Sequence, residues 1–201
     1  MVLTKLAMAE SKYLLRHSDY LRTIWKNGRG ITDQIAIFPA GEDFKNLNFH
    51  WRLSTAPLKD SGAFSLFPGF VRSLVVVDGQ GIELVGDDKK VMLTAFTPYE
   101  FSGDNKIHGQ LSDGPIRDLN VIWNPKNVRV EVSMLLISEQ QQSVWRPNAD
   151  INFLFLAEGS MQTEWGMMER FSTIVSMNGQ DINLTATSMN CQAVVVEVFS
   201  I

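Results

Sequence analysis

An all-β fold, an antiparallel barrel or sandwich, is predicted from three features of the sequence. Apolar runs of five to nine residues rich in Val, Ile, Leu, Phe and Thr follow one another along the chain. Glycine and proline punctuate them at short intervals. No alternation of strands with long helices interrupts this pattern, so a parallel α/β sheet is not expected.

In order, the runs expected to be strands are 34–38, 49–56, 71–77, 81–85, 91–96, 119–122, 128–137, 151–157, 162–165, 171–176, 181–186 and 191–199. Ahead of them, 10–22 is the only stretch with any helical character. Two of the runs echo each other: Leu74-Val75-Val76-Val77-Asp78-Gly79-Gln80-Gly81 and Leu154-Phe155-Leu156-Ala157-Glu158-Gly159-Ser160-Met161. Each is an apolar strand closed by an acidic residue and a glycine, the signature of a tight hairpin whose glycine takes positive φ. The echo fits either two unrelated hairpins or two similar barrels in tandem. A tandem boundary falls in the turn-rich Trp123-Asn124-Pro125-Lys126-Asn127, giving 1–122 and 123–201.

Composition excludes several function classes. With a net charge of -4 and no block of Lys or Arg, the chain is neither a general nucleic-acid binder nor a partner for anionic membrane surfaces. The single Cys191 rules out an intrachain disulfide framework and suits a reducing, cytoplasmic compartment. No run approaches the ~20 apolar residues that span a bilayer as a helix. His17, His50 and His108 are isolated from one another, so no metal site and no cofactor is expected. Neither a Gly-x-Ser-x-Gly elbow nor a dinucleotide fingerprint is present, and no catalytic residue is assigned.

Two arginines stand out, because a guanidinium stays charged and needs either an internal carboxylate or an external anion when it lies in apolar sequence. Strand alternation over 49–56 groups Phe49, Trp51 and Leu53 on one face and His50, Arg52 and Ser54 on the other. In 71–77 it groups Arg72 with Leu74 and Val76, so a charge opens an otherwise apolar face. Such an arginine at a barrel mouth can grip a ligand carboxylate bidentately while apolar walls hold the ligand body. The structural alternative is an ion pair with Asp60, Glu83 or Asp118. Trp25-Lys26-Asn27-Gly28-Arg29-Gly30 reads locally as a charged Asn-Gly turn, and Asp113-Gly114-Pro115-Ile116-Arg117-Asp118 as a turn entering a strand.

The ordered segments Trp25-Lys26-Asn27-Gly28, Trp51-Arg52-Leu53-Ser54, Gly62-x-Phe64-Ser65-x-Phe67-Pro68-Gly69-x-x-Arg72, Gly79-x-Gly81, Phe101-Ser102-Gly103-Asp104 and Gly114-Pro115-x-x-Asp118-Leu119-Asn120 resemble the HutD/Ves family. The resemblance covers roughly the first three-fifths of the chain. It implies a bicupin, two antiparallel cupin-like β-barrel halves packed together, with a ligand pocket in the first. It also implies a regulatory protein of histidine utilisation that binds a small carboxylate such as urocanate or formylglutamate. By the same resemblance Arg72 is the leading anion ligand and Arg52 the second. Lys26, Asn27, Ser65 and Asp104 are pocket-side or supporting positions, and Phe64 and Phe101 line the apolar part. Asp33-Gln34 depart from the family's usual Arg-Glu pair, which reverses the local charge, and Ile122-Trp123-Asn124-Pro125 replace a basic ending.

The reading favoured by these residues is a non-catalytic binder of a small carboxylate, with a homodimer allowed. A metal-free isomerase or hydrolase acting on a similar acid is the alternative, with His108 and Asp104 as its only titratable candidates. A stress-related role without a ligand is the third.

Overall fold

The computed structural model describes residues 11–25, 30–87 and 89–201. Its strands are β1 (Lys12–Leu15), β2 (Leu21–Ile24), β3 (Ile31–Phe38), β4 (Trp51–Leu58), β5 (Gly62–Ala63), β6 (Val71–Asp78), β7 (Gly81–Val85), β8 (Lys90–Thr94), β9 (Tyr99–Ser102) and β10 (His108–Gln110). They continue with β11 (Ile116–Trp123), β12 (Val128–Ser138), β13 (Gln142–Trp145), β14 (Ile151–Glu158), β15 (Met161–Thr163), β16 (Gly166–Met168), β17 (Thr173–Met177), β18 (Ile182–Ala186) and β19 (Asn190–Ser200). The chain is all-β. In place of a helix over 10–22, it forms β1, a single 3-10 turn at His17–Asp19 and the start of β2. Tyr13 and Leu15 are buried there in strand alternation, which fixes that segment as extended.

Each expected apolar run is a strand, with ends shifted by a few residues. The strands that the sequence does not announce, β1, β2, β5, β9, β10, β13 and β16, are short. Several lie at sheet edges, where few side chains need be apolar.

The chain divides into two compact units. Unit one holds Leu21–Val128 and carries two sheets, of order β2-β3-β4-β11-β6-β9 and β5-β10-β7-β8. Leu74 and Val76 from the larger sheet meet Ile82, Leu84 and Leu93 from the smaller in one apolar core. Unit two holds 11–20 and Arg129–Ile201, with sheets of order β1-β17-β14-β19-β12 and β13-β18-β15-β16. Its core joins Leu154, Leu156, Ile174 and Val195 to Trp145, Met161, Met168 and Leu184. Among the described residues each sheet runs from one edge strand to another, so the expected closure into barrels is not seen. Each unit is a double layer instead.

The connectivity of the two units is nevertheless the same. β4 through β11 and β12 through β19 are one eight-strand succession repeated: β4 pairs β11 as β12 pairs β19, β6 lies between β11 and β9 as β14 lies between β19 and β17, and β7 joins β8 and β10 as β15 joins β16 and β18. The sequence echo sits at matching points of this succession. Neither copy is a hairpin, because β6 and β7 belong to different sheets, as do β14 and β15. The acidic-glycine turn carries the chain from one layer to the other, and Gly79 and Gly159 hold φ of 90° and 86°.

Candidate functional site

The site is built on the larger sheet of unit one, on the face that turns toward the smaller sheet. Register places Ile37, Arg52, Ile122, Arg72 and Phe101 in one row across β3, β4, β11, β6 and β9. Residues directly opposite one another share a face, so both guanidinium-bearing side chains leave the same side, on either side of Ile122. The next row on that face is Gln34, Ser54, Asn120, Leu74 and Tyr99, and Asp118 follows on β11 beside Ala56 and Val76. Polar groups thus fill the middle strands of a face whose outer parts are apolar.

Both arginines are buried, Arg72 at 3% exposure and Arg52 at 6%. Burial pulls each guanidinium down to about 10, against the opposing pull of Asp118, so both are charged at neutral pH. Neither forms an ion pair among the described residues, which answers the structural alternative for Arg72: Asp60, Glu83 and Asp118 are not salt-bridged to it. Arg52 donates from Nε to the neutral Gln34 Oε1 at 2.8 Å and lies 4.3 Å from the Phe44 ring centre. Arg72 donates from Nη1 to the Ser65 carbonyl at 3.1 Å. The Phe64, Phe67 and Phe101 rings stand 5.1, 5.5 and 5.0 Å from its guanidinium carbon. Its buried Nε has no hydrogen-bond partner, and neither has the buried Asn120 Oδ1.

Asp118 is the carboxylate within electrostatic reach of both. Its Oδ1 accepts the Ala56 N–H at 3.0 Å. Burial pushes its pKa up to about 7, although Arg72, the Ala56 N–H, Arg117 and Arg52 all favour the charged form. At neutral pH the cluster is therefore a net cation inside the fold.

The loop before β6 sets the position of Arg72. Gly103 N–H donates to the Phe70 carbonyl at 2.8 Å, and Phe67 N–H donates to the Gly103 carbonyl at 2.9 Å. Asp104 Oδ1 accepts the Gly69 N–H at 3.2 Å, and Ser102 Oγ donates to Asp104 Oδ2 at 3.0 Å. The Ser102-Gly103-Asp104 segment at the end of β9 thus clamps the Phe67-Pro68-Gly69-Phe70 turn. Under the turn, Phe49, Phe67 and Phe70 pack with Ile37 and Ile122. Phe49 lies just ahead of β4, so the strand alternation expected to place it with Trp51 and Leu53 does not reach it, and its ring joins the Arg52 side.

The expected residues fall into three groups. Arg72, Arg52, Phe64, Phe101 and the Ser65 carbonyl meet at the site. Asp104 is exposed and engaged in the clamp, and His108 is exposed on β10. Lys26 and Asn27 lie outside the described residues. Sequence reasoning left Phe44, Phe67 and Asn120 without a role, and took Gln34 as a charge change without seeing that it faces Arg52. The register of β3 against β4 was the missing signal. Asp33 beside it is buried and accepts from Arg22 Nε at 2.7 Å, with Arg117 Nη1 at 3.7 Å. Among the described residues no group of three or more His, Cys, Asp or Glu could hold a metal ion. Among the described residues no helix is long and apolar enough to cross a membrane.

The HutD family signature matches residues 17–194. An uncharacterized 21.2 kDa protein in the hutC 3' region of Pseudomonas putida is 39% identical over 120 residues, covering 59% of this chain and 62% of that one. Protein Ves of Citrobacter koseri is 33% identical over 117 residues, covering 54% of this chain and 56% of its own. These matches span less than two thirds of the curated relatives' lengths. A solved structure of a conserved Pseudomonas aeruginosa PAO1 protein of unknown function superposes with a TM-score of 0.79 at 31% identity, covering 95% of this chain and 100% of that one. HutD from Pseudomonas fluorescens SBW25, solved in a formate condition, gives 0.73 at 26%, covering 93% and 98%. At the level of fold alone, YhhW of Escherichia coli gives 0.68 at 11% identity, covering 94% and 98%.

Proposed function

The chain belongs to the HutD family, and on that premise we propose that it binds a small organic carboxylate at Arg72, with Arg52 as a second cation, and acts as a cytoplasmic regulator of histidine utilisation. The observation that carries this reading is the Arg72 guanidinium, buried, without an ion pair among the described residues, and with one N–H lacking any partner. A buried charge in that state is strongly disfavoured unless something arrives to meet it. A carboxylate accepting from a guanidinium forms the strong, charge-assisted bond that the site lacks. A relative encoded beside hutC agrees with an acid from histidine breakdown, of the urocanate or formylglutamate type. The repeated eight-strand succession supports reading the two units as cupin-like modules, with the ligand held by the first.

Calorimetric titration with formate, urocanate and N-formylglutamate tests the reading. Saturable binding of at least one of them supports it; no heat from any of the three at millimolar concentration refutes it.

Asp118 favours a second reading, turnover of the same acid without a metal. A carboxyl near 7 is suited to give and take protons at neutral pH, and Asp118 lies on the face that carries both arginines, whereas His108 is exposed on β10 and Asp104 is engaged in the clamp. Loss or isomerisation of these acids, followed by NMR at high protein concentration and abolished by Asp118→Asn, would establish it.

A further inference from the structure

Asn120 is a half-buried amide whose Oδ1 is buried without a hydrogen-bond partner, and it stands one row from both arginines. Ile122, two residues further along β11, lies between Arg52 and Arg72, so Asn120 shares its face. Its cross-strand neighbours are Ser54 and Leu74, and its Oδ1 is buried with no hydrogen-bond partner. Asn152 shows what a structural amide looks like in this protein: Oδ1 accepts from Ala149 N–H at 3.1 Å, and Nδ2 donates to the Ala149 and Ser176 carbonyls at 2.8 and 3.2 Å.

We propose that Asn120 reads a hydrogen-bond donor on the bound molecule, so that the ligand class is an organic acid carrying an N–H or O–H close to its carboxylate. This rests on the carboxylate reading above. Two complementary buried groups on one face of one sheet lack partners, a donor at Arg72 Nε and an acceptor at Asn120 Oδ1. A bare carboxylate satisfies the first and leaves the second orphaned, whereas an acid with its own donor satisfies both. Sites built to pair with a polar group discriminate strongly against analogues that lack it, because the buried partner is then left unmet.

The test compares N-acetylglycine with N-acetylsarcosine, which keeps the carboxylate and replaces the amide N–H by N–CH3, by calorimetry on the intact chain with formate as a reference. The expected result is about tenfold tighter binding of N-acetylglycine by the wild type, with the preference gone in Asn120→Leu and Asn120→Ala while formate binding is kept. Equal affinity of the wild type for the two acids, a preference that survives both substitutions, or formate binding with neither larger acid accepted would each overturn the assignment of Asn120 and leave the carboxylate reading standing. Absence of formate binding as well, together with no binding of urocanate or N-formylglutamate, would bring down both.

Discussion

Arg72 and Asn152 occupy the same position in two copies of one topology. Each is the second residue of an eight-residue strand, β6 and β14, that lies between matching partners and ends in an acidic residue followed by a positive-φ glycine. In unit two the position is closed, since every polar atom of the Asn152 amide is bonded inside the fold. In unit one it holds a charge with an open N–H. The same scaffold has one position whose polar atoms are all bonded and one that keeps an unpartnered N–H, and the proposed ligand is assigned to the second.

If Arg72 serves the ligand and not the fold, replacing it by an apolar side chain of similar length should leave stability intact. Arg72→Met removes a desolvated cation from among three aromatic rings, the kind of substitution that is often neutral or stabilising. The expected melting temperature is equal to or above the wild type's, with the response to formate or urocanate lost. A drop of about 2 kcal/mol or more in chemical denaturation would identify the guanidinium as a structural element instead.

Gln34 holds Arg52 through a neutral contact. Its neutral oxygen orients the guanidinium through one hydrogen bond without cancelling its charge. Gln34→Glu places a carboxylate at that contact and converts it to a buried ion pair. The expected outcome is a melting temperature at or above the wild type's together with anion affinity weakened by about tenfold, because the site loses a unit of net positive charge. Unchanged affinity would show that Arg52 takes no part in binding.

Much of the fold was legible before any coordinates, and the reason is visible strand by strand. β6, β14 and β19 are largely buried apolar runs, and β12 opens with apolar and charged residues in strict alternation, patterns that can be little else than strands. β10, His108-Gly109-Gln110, reads as a turn and becomes a strand only because Ala63 and Val85 flank it. The arginines were legible as isolated charges in apolar strands. That Gln34, Asn120 and Asp118 share their face was not, because it depends on cross-strand register, a property of strand pairs far apart in sequence.

Asp118 gives the site a pH dependence with a definite sign. Its pKa rises from the ordinary carboxylate value to about 7 in the folded chain. Between about pH 4 and 7 the folded state therefore holds a proton that the unfolded state has released, so stability falls as pH rises through that window and levels off above it. The slope is up to about 1.4 kcal/mol per pH unit. Asp118→Asn, which can still accept the Ala56 N–H, should flatten it in denaturation curves measured at pH 5 and pH 8. An anion meets a neutral Asp118 below pH 7 and a charged one above, so formate affinity should decline from pH 6.5 to 8.5 in the wild type and hold steady in the variant. Parallel pH profiles in the two proteins would show that Asp118 titrates elsewhere.

The clamp on the Phe67-Pro68-Gly69-Phe70 turn makes Gly103 the most exacting small residue near the site. A Cβ there would run into the Phe67 carbonyl oxygen and come within 3.0 Å of the Phe70 carbonyl, both main-chain atoms held by hydrogen bonds, the first accepting from Phe70 N–H and the second from Gly103 N–H. Gly109, also beside the site, offers the control. Its added methyl would meet Ile82 Cδ1 at 2.7 Å and Phe64 Cε2 at 2.8 Å, which are outer side-chain atoms and not main chain. Gly103→Ala is therefore expected to destabilise by about 2–4 kcal/mol and to lose the anion response even at temperatures where it stays folded, since the turn that carries Phe67 past Arg72 must shift. Gly109→Ala should stay within about 1 kcal/mol of the wild type and keep the response. Equal effects of the two substitutions in denaturation and anion titration would mean that the main-chain clamp does not set the geometry of Arg72.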